Sequence, residues 1–193
     1  MTLDEAFASL PTFRTPRLVV RPLEPSDAED AFEIRADPEV REKYAAEPCT
    51  SLEEARRWIE DRLNAYRKRE SMFWAYSPVN EAKVVGICCF WHFDERSLCA
   101  EIGYELNRLY WHQGITPEAL APVLAYGFEG MGLNRIEACP LAENGPSNRV
   151  LLKLGFRLEG TLRQRVQFRG RFLDQHYYSL LNGELKPPVA DRP

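Results

Sequence analysis

Apolar positions along this chain recur with periods of about 2 and about 3.6 residues, and their order sketches a fold. A strand-like run at 18–23 (LVVRPL) comes first. Ser26-Asp27-Ala28-Glu29 has the form of a capping box, and Ala28, Ala31, Phe32 and Arg35 lie along one side of the helix it would open. Asp37-Pro38 interrupts that helix, because the residue before a proline is pushed out of helical geometry. Ser51-Leu52-Glu53-Glu54 is a second capping box, followed at helical spacing by Ala55, Trp58, Ile59, Leu63 and Tyr66. Strands are predicted at 72–77, 84–93 and 98–106, separated by polar turns at 78–83 and 94–97. A helix from Pro117 towards Gly130 would bury Leu120, Val123, Leu124, Gly127, Phe128 and Met131. The run 134–140 is strand-like, and 146–154 is a short helix with Val150, Leu151 and Leu154 as its apolar stripe. The segments 157–168 and 171–181 form a hairpin turning at Arg169-Gly170. No repeat breaks the pattern, so 1–183 is expected to be one domain, and 184–193, with three prolines, a disordered tail.

Composition narrows the class. With 193 residues and 45% hydrophobic content, the chain can bury one substantial core. Its net charge of −4 provides no basic field for nucleic acid, and no apolar run approaches the ~20 residues of a membrane span. The opening MTLDEAFASLP lacks the basic start and apolar centre of a signal peptide. Cys49, Cys88, Cys89, Cys99 and Cys139 show no CxxC spacing, so reduced thiols and a cytosolic setting are expected. His92, His112 and His176 are far apart in sequence, and no metal site is expected.

Two segments carry candidate chemistry. In 110–120 (YWHQGITPEAL), Gly114 precedes a helix opening, where unpaired N–H groups and a partial positive charge suit phosphate. In 144–156 (NGPSNRVLLKLGF), Pro146 sits at the first turn of a helix with Asn144 or Gly145 as cap, and Gly155 ends it. Each segment alone is compatible with an ordinary helix start.

Together they resemble the GCN5-related N-acetyltransferase (GNAT) superfamily, most closely its RimJ/RimL-type branch. One motif of that branch is similar to W-G-Q-G-Y-A-T-E-A, matched at Trp111, Gln113, Gly114, Glu118 and Ala119. The other has the form N-x-x-S followed by K-L-G-F, matched at Asn144, Ser147, Lys153, Leu154, Gly155 and Phe156. The segments 15–23, 100–106, 155–163 and 168–181 extend the likeness over roughly 13–181. His112 replaces a glycine of the pattern, Thr116 an alanine, and Pro117 a threonine or serine. Proline removes one N–H donor, and histidine does not take positive φ easily.

The resemblance implies an α/β GNAT fold: a mixed, mostly antiparallel twisted sheet of about seven strands flanked by about four helices, splayed at its centre to admit coenzyme A. It implies acetyl-CoA as co-substrate, contacted by the main chain of Tyr104, Glu105 and Leu106. Further contacts would come from Gln113, Gly114, Ile115, Thr116, Pro117 and Glu118, and from Asn144, Ser147, Asn148 and Lys153. The acceptor would be a primary amine, on a protein N-terminus or a small molecule; a homodimer is compatible with this reading. A carboxylate must accept the amine proton, and Glu101, Glu137 and Glu159 are the candidates in that order. Many members place a tyrosine acid where this chain has Leu151, so the hydroxyl of Ser147 or a water would replace it. An acyl-CoA-binding sensor or scaffold without transferase activity is the other reading. Arg163, Arg165, Gln167, Arg169 and Arg171 gather on the final hairpin, either as a solvated surface or facing an acidic partner. Trp74, Trp91, His92 and Trp111 line an acceptor pocket or belong to the core.

Overall fold

Strand alternation gives the sheet two apolar faces, and each is covered by a pair of helices. The structure, a computed structural model, describes residues 3–185. Its eight strands are β1 (Phe13–Arg14), β2 (Leu18–Pro22), β3 (Ser71–Pro78), β4 (Gly86–Asp94), β5 (Cys99–Leu106), β6 (Arg135–Ala138), β7 (Arg157–Phe168) and β8 (Arg171–Leu181). They form one sheet in the order β1-β2-β3-β4-β5-β6-β8-β7, antiparallel except for the parallel β5–β6 pair. The GNAT-type α/β architecture read from the sequence is present, with the short β1 as the strand it missed.

A single helical turn, α1 (Leu3–Ala6), precedes the sheet. Phe73, Ala75, Ile87 and Cys89 face α2 (Ala28–Ala36) and α4 (Leu52–Arg67), which contribute Ala28, Ala31 and Ile59. Met72, Trp74, Tyr76, Phe90, Ala100 and Ile102 face α5 (Ile115–Ala125) and α6 (Gly145–Leu154). Helix α5 is buried almost all round, with Ile115, Thr116, Ala119, Leu120, Ala121, Val123 and Leu124 in the core. Residues 186–193 of the expected tail lie outside the described residues. Glu184, also assigned to that tail, is held by Arg157 at 2.9 Å and by the Leu181 N–H at 3.1 Å.

Several local readings are corrected. The first capping box is Glu24/Asp27, not Ser26/Glu29: the Glu24 N–H donates to Asp27 Oδ2 at 2.8 Å, and a 3-10 turn (Pro25–Asp27) leads into α2. Asp37 interrupts that helix and caps the next, α3 (Pro38–Glu42), by accepting the Glu39 N–H. The helix expected to reach Gly130 is α-helical only to Ala125; a π-turn (Tyr126–Gly130) follows Pro122, whose missing N–H removes a bond from the ladder. Gly155 ends α6 with φ 103, a left-handed cap that glycine takes without strain.

The sheet opens at its centre. β5 and β6 pair only through Cys99–Glu101 and Arg135–Glu137. Beyond Glu101, β5 continues to Leu106 without a strand on that side among the described residues. Asn107 donates to Val85 O, and antiparallel alternation then turns the main chain of Glu105 towards β4 and that of Tyr104 and Leu106 towards the gap.

Candidate functional site

On the α5/α6 side, the gap widens into a cavity of about 240 Å³. Leu106, Tyr110, Trp111 and Ile115 give it an apolar floor, while Lys43, Arg149 and Lys153 supply cationic character without any lining carboxylate. Gly114 caps α5 at φ 71, so the N–H groups of Ile115 and Thr116 open the helix on this cavity. Pro117 is the third helical residue, still within the turn whose N–H groups have no helical partner, so its ring costs a potential donor and no helix bond. His112 takes φ 62: the position demands the left-handed conformation that a glycine would adopt freely, and the histidine adopts it at some strain. An extended open edge leading to a cationic mouth and a helix opening fits a ligand with an amide arm and a phosphate end.

Two residues expected at this ligand brace the cradle instead. Glu118 accepts from Thr15 Oγ1 at 2.6 Å, Arg17 Nε at 2.6 Å and the Arg17 N–H at 3.0 Å. Burial works to raise its pKa, but the bonds from Thr15 and Arg17 outweigh that and hold it below the usual carboxylate value. Gln113 Nε2 donates to Leu109 O, and Gln113 O accepts from Arg17 Nη1, which ties the loop before α5 to the start of β2. Asn148 is turned to Ala142 O and lines neither cavity. Asn144 Oδ1 caps α6 at the Ser147 N–H, and its Nδ2 donates to Lys43 O.

A second cavity, of about 360 Å³, lies on the α2/α4 face. Lys43, Tyr44, Tyr104, Asn144 and Ser147 line both cavities, so the two meet through the gap beside β5. There Tyr104 Oη lies 2.7 Å from Ser147 Oγ, and the Tyr44 hydroxyl donates to Tyr104 O. Burial raises the Tyr104 phenol's pKa against the lowering effect of Ser147, so the phenol keeps its proton. Trp111 Nε1 donates to Leu106 O, fixing the end of the open edge.

The three candidate carboxylates differ in their surroundings. Glu101 lines the second cavity, with Oε2 3.1 Å from His92 Nδ1. Glu137, its register partner on β6, is bonded to Arg135 Nε at 2.7 Å. Glu159 is bonded to Arg135 Nη1 at 3.1 Å and to the Ser179 hydroxyl, and lines neither cavity. Glu105, expected at the cofactor through its main chain, offers its carbonyl to the Tyr76 hydroxyl and its buried carboxylate to Arg35 and Arg41.

Of the aromatics proposed for an acceptor pocket, Trp91 lines the second cavity and Trp111 the first. Trp74 is core, and the largely exposed His92 reaches Glu101 from the rim. Arg169 of the basic hairpin is engaged with Glu47 at 2.6 Å. Sequence reasoning missed Arg35, Arg41, Trp58 and Arg62 in the second cavity and Arg149 in the first. Arg149 stands four residues before Lys153, a helical spacing that puts both on one face.

Residues 17–157 match the family described as Acetyltransferase (GNAT) domain. The uncharacterized N-acetyltransferase YoaA of Bacillus subtilis (strain 168) is 33% identical over 171 residues, covering 89% of this chain and 97% of that protein. The putative ribosomal N-acetyltransferase YdaF of the same strain is 28% identical over 178 residues, covering 86% and 92%. The crystal structure of a GNAT-family acetyltransferase from Bacillus anthracis matches with a TM-score of 0.78 at 29% identity, over 89% of this chain and 98% of that one. The chain therefore belongs to the GNAT superfamily and is an acetyl-CoA-dependent acetyltransferase.

Proposed function

We propose that the acetyl group goes to a primary amine, the α-amine of a protein N-terminus or the amine of a small molecule, which enters through the α2/α4-side cavity. The observation that carries this reading is the meeting of two cavities through the open sheet, with Glu101 lining only the acceptor side. Acetyl-CoA supplies a thioester, an acyl group activated towards amines.

The rest falls to residues of this chain. The cationic residues at the mouth of the first cavity balance the phosphates, and the N–H groups of Ile115 and Thr116 orient them. The open edge at Tyr104 and Leu106 offers main-chain groups to the extended arm. Glu101 takes a proton from the attacking amine. Ser147 Oγ and the protonated Tyr104 phenol beside it relay a proton to the departing sulfur, and the proton that Glu101 took from the amine restores the relay through water. Asn144 contributes by setting the first turn of α6, which carries Ser147.

Two measurements test this reading. Thiol release from acetyl-CoA is expected to depend on an added amine, in a panel of peptides beginning with Ala, Ser, Thr or Met alongside aminoglycosides and polyamines. Release no faster than hydrolysis with every member would reject the amine acceptor; a response to peptides alone would select the N-terminal α-amine. Separately, Gly114→Val forces a β-branched residue into φ 71, where L side chains are strained, beside the proposed phosphate path. Calorimetry is expected to show acetyl-CoA binding weakened by about tenfold, ~1.4 kcal/mol. An unchanged Kd would mean that no close backbone approach occurs there.

A further inference from the structure

The acceptor-side cavity holds more positive charge than its own carboxylates balance. Arg35, Arg41, Lys43 and Arg62 line it, against Glu101 and Glu105. Arg35 and Arg41 are both committed to Glu105, at 2.7 and 3.2 Å. Arg62 forms no ion pair among the described residues; its guanidinium carbon lies 5.6 Å from the Trp58 ring and 5.8 Å from the Phe73 ring. Its buried Nε has no hydrogen-bond partner among the described residues, and neither does the buried Nε1 of Trp91 in the same cavity. A buried donor left unpaired carries a desolvation cost that an acceptor would remove, and two such donors belong to residues lining this one cavity. A carboxylate offers several acceptor sites and a charge-assisted bond to arginine.

We infer that the acceptor is a primary amine that also carries a carboxylate several bonds away, held at Arg62 and Trp91. The inference rests on the amine-acetylation reading above and adds the acceptor's second functional group. Electrostatics set its orientation, since Glu101 repels the carboxylate and attracts the amine. Position sets its length. Arg62 packs against Phe73 of β3, and Phe73 pairs with Cys89, which pairs with Gly103 of β5. Arg62 therefore stands over a strand about 10 Å across the sheet from β5. Glycine is too short to reach from the gap to Arg62. An ω-amino acid, or a peptide with an acidic residue next to its N-terminal amine, has the required span.

Matched acceptors test this. One pair is 4-aminobutyrate and 4-aminobutyramide; the other is Ala-Glu-Ala-amide and Ala-Gln-Ala-amide, which differ only in the side-chain carboxylate. In at least one pair, kcat/KM for thiol release is expected to be about tenfold or more higher for the acid, chiefly through KM. The pair that discriminates identifies the source as small molecule or peptide. Arg62→Met keeps an unbranched apolar side chain without the charge, and in folded protein it should bring that ratio close to one. Equal use of acid and amide in both pairs, or an undiminished ratio in Arg62→Met, overturns the inference. Should no amine stimulate release at all, the acetyl-transfer reading fails on its own, and tryptophan fluorescence still tests the carboxylate site. Quenching of the cavity tryptophans by 4-acetamidobutyrate or by acetyl-Ala-Glu-Ala-amide, lost in Arg62→Met, would support the site; no response to either in wild-type protein would overturn it.

Discussion

Glu101→Gln is expected to lower kcat for amine acetylation by about 10²–10⁴ while leaving acetyl-CoA affinity nearly unchanged. The amide keeps the size and shape of the carboxylate but cannot accept a proton. Affinity should hold because Glu101 lines the acceptor-side cavity and not the one with the cationic mouth. Its environment also separates it from its rivals. Arg135 bonds both Glu137 and Glu159, whereas among the described residues Glu101 has only the imidazole of His92, itself largely exposed. A carboxylate held by a guanidinium is already engaged; one at a cavity wall with an exposed, replaceable partner is free to meet the amine. Single-turnover rates with saturating acceptor would read the chemical step directly. A loss smaller than about threefold would reject the role and leave a water-mediated route from elsewhere in the cavity.

The sequence carried the fold well because local patterns specify it. Alternation in the runs around β3, β4 and β5 placed both faces of the central strands, and Gly155 and Arg169-Gly170 marked true ends and turns. Helix α5 was harder to read. Being buried nearly all round, it shows no single stripe, and Pro122 within it gives no warning of the π-turn that follows. The cofactor side was partly legible through its motifs, yet motif membership did not separate lining from bracing. Gln113 and Glu118 serve the loop and β2, while Gly114, Ile115, Thr116 and Pro117 line the cavity. The acceptor side was nearly invisible. Trp58 fits a core stripe, and Arg62 has the form of an ordinary surface residue. The ion pairs of Glu105 join residues 70 and 64 positions apart, which no periodicity can reveal.

Those ion pairs set the second large effect: Glu105→Ala is expected to destabilise the protein by about 3–5 kcal/mol, because it leaves two buried guanidinium groups without a counter-charge. The side chains of Glu105, Arg35 and Arg41 are 9%, 14% and 12% exposed, so solvent screens them little. Burial and the nearby Arg35 charge already lower the Arg41 pKa, against the raising effect of Glu105, and removing Glu105 takes away the largest of the raising influences. Arg35 also stacks on Trp58 at 4.0 Å, so disturbance of the pair would spread into the wall of the acceptor cavity. For a chain of this length, the loss corresponds to a fall in Tm of roughly 6–20 °C. A matching shift in the urea midpoint at constant slope would show that the native state, not the mechanism of unfolding, has changed. Glu105→Gln should fall between wild type and alanine, since the amide oxygen can still accept from one arginine while the charge is gone. A Glu105→Ala protein melting within about 2 °C of wild type would mean that water or another side chain supports both arginines, and that the triad is not what holds α2 and α3 against β5.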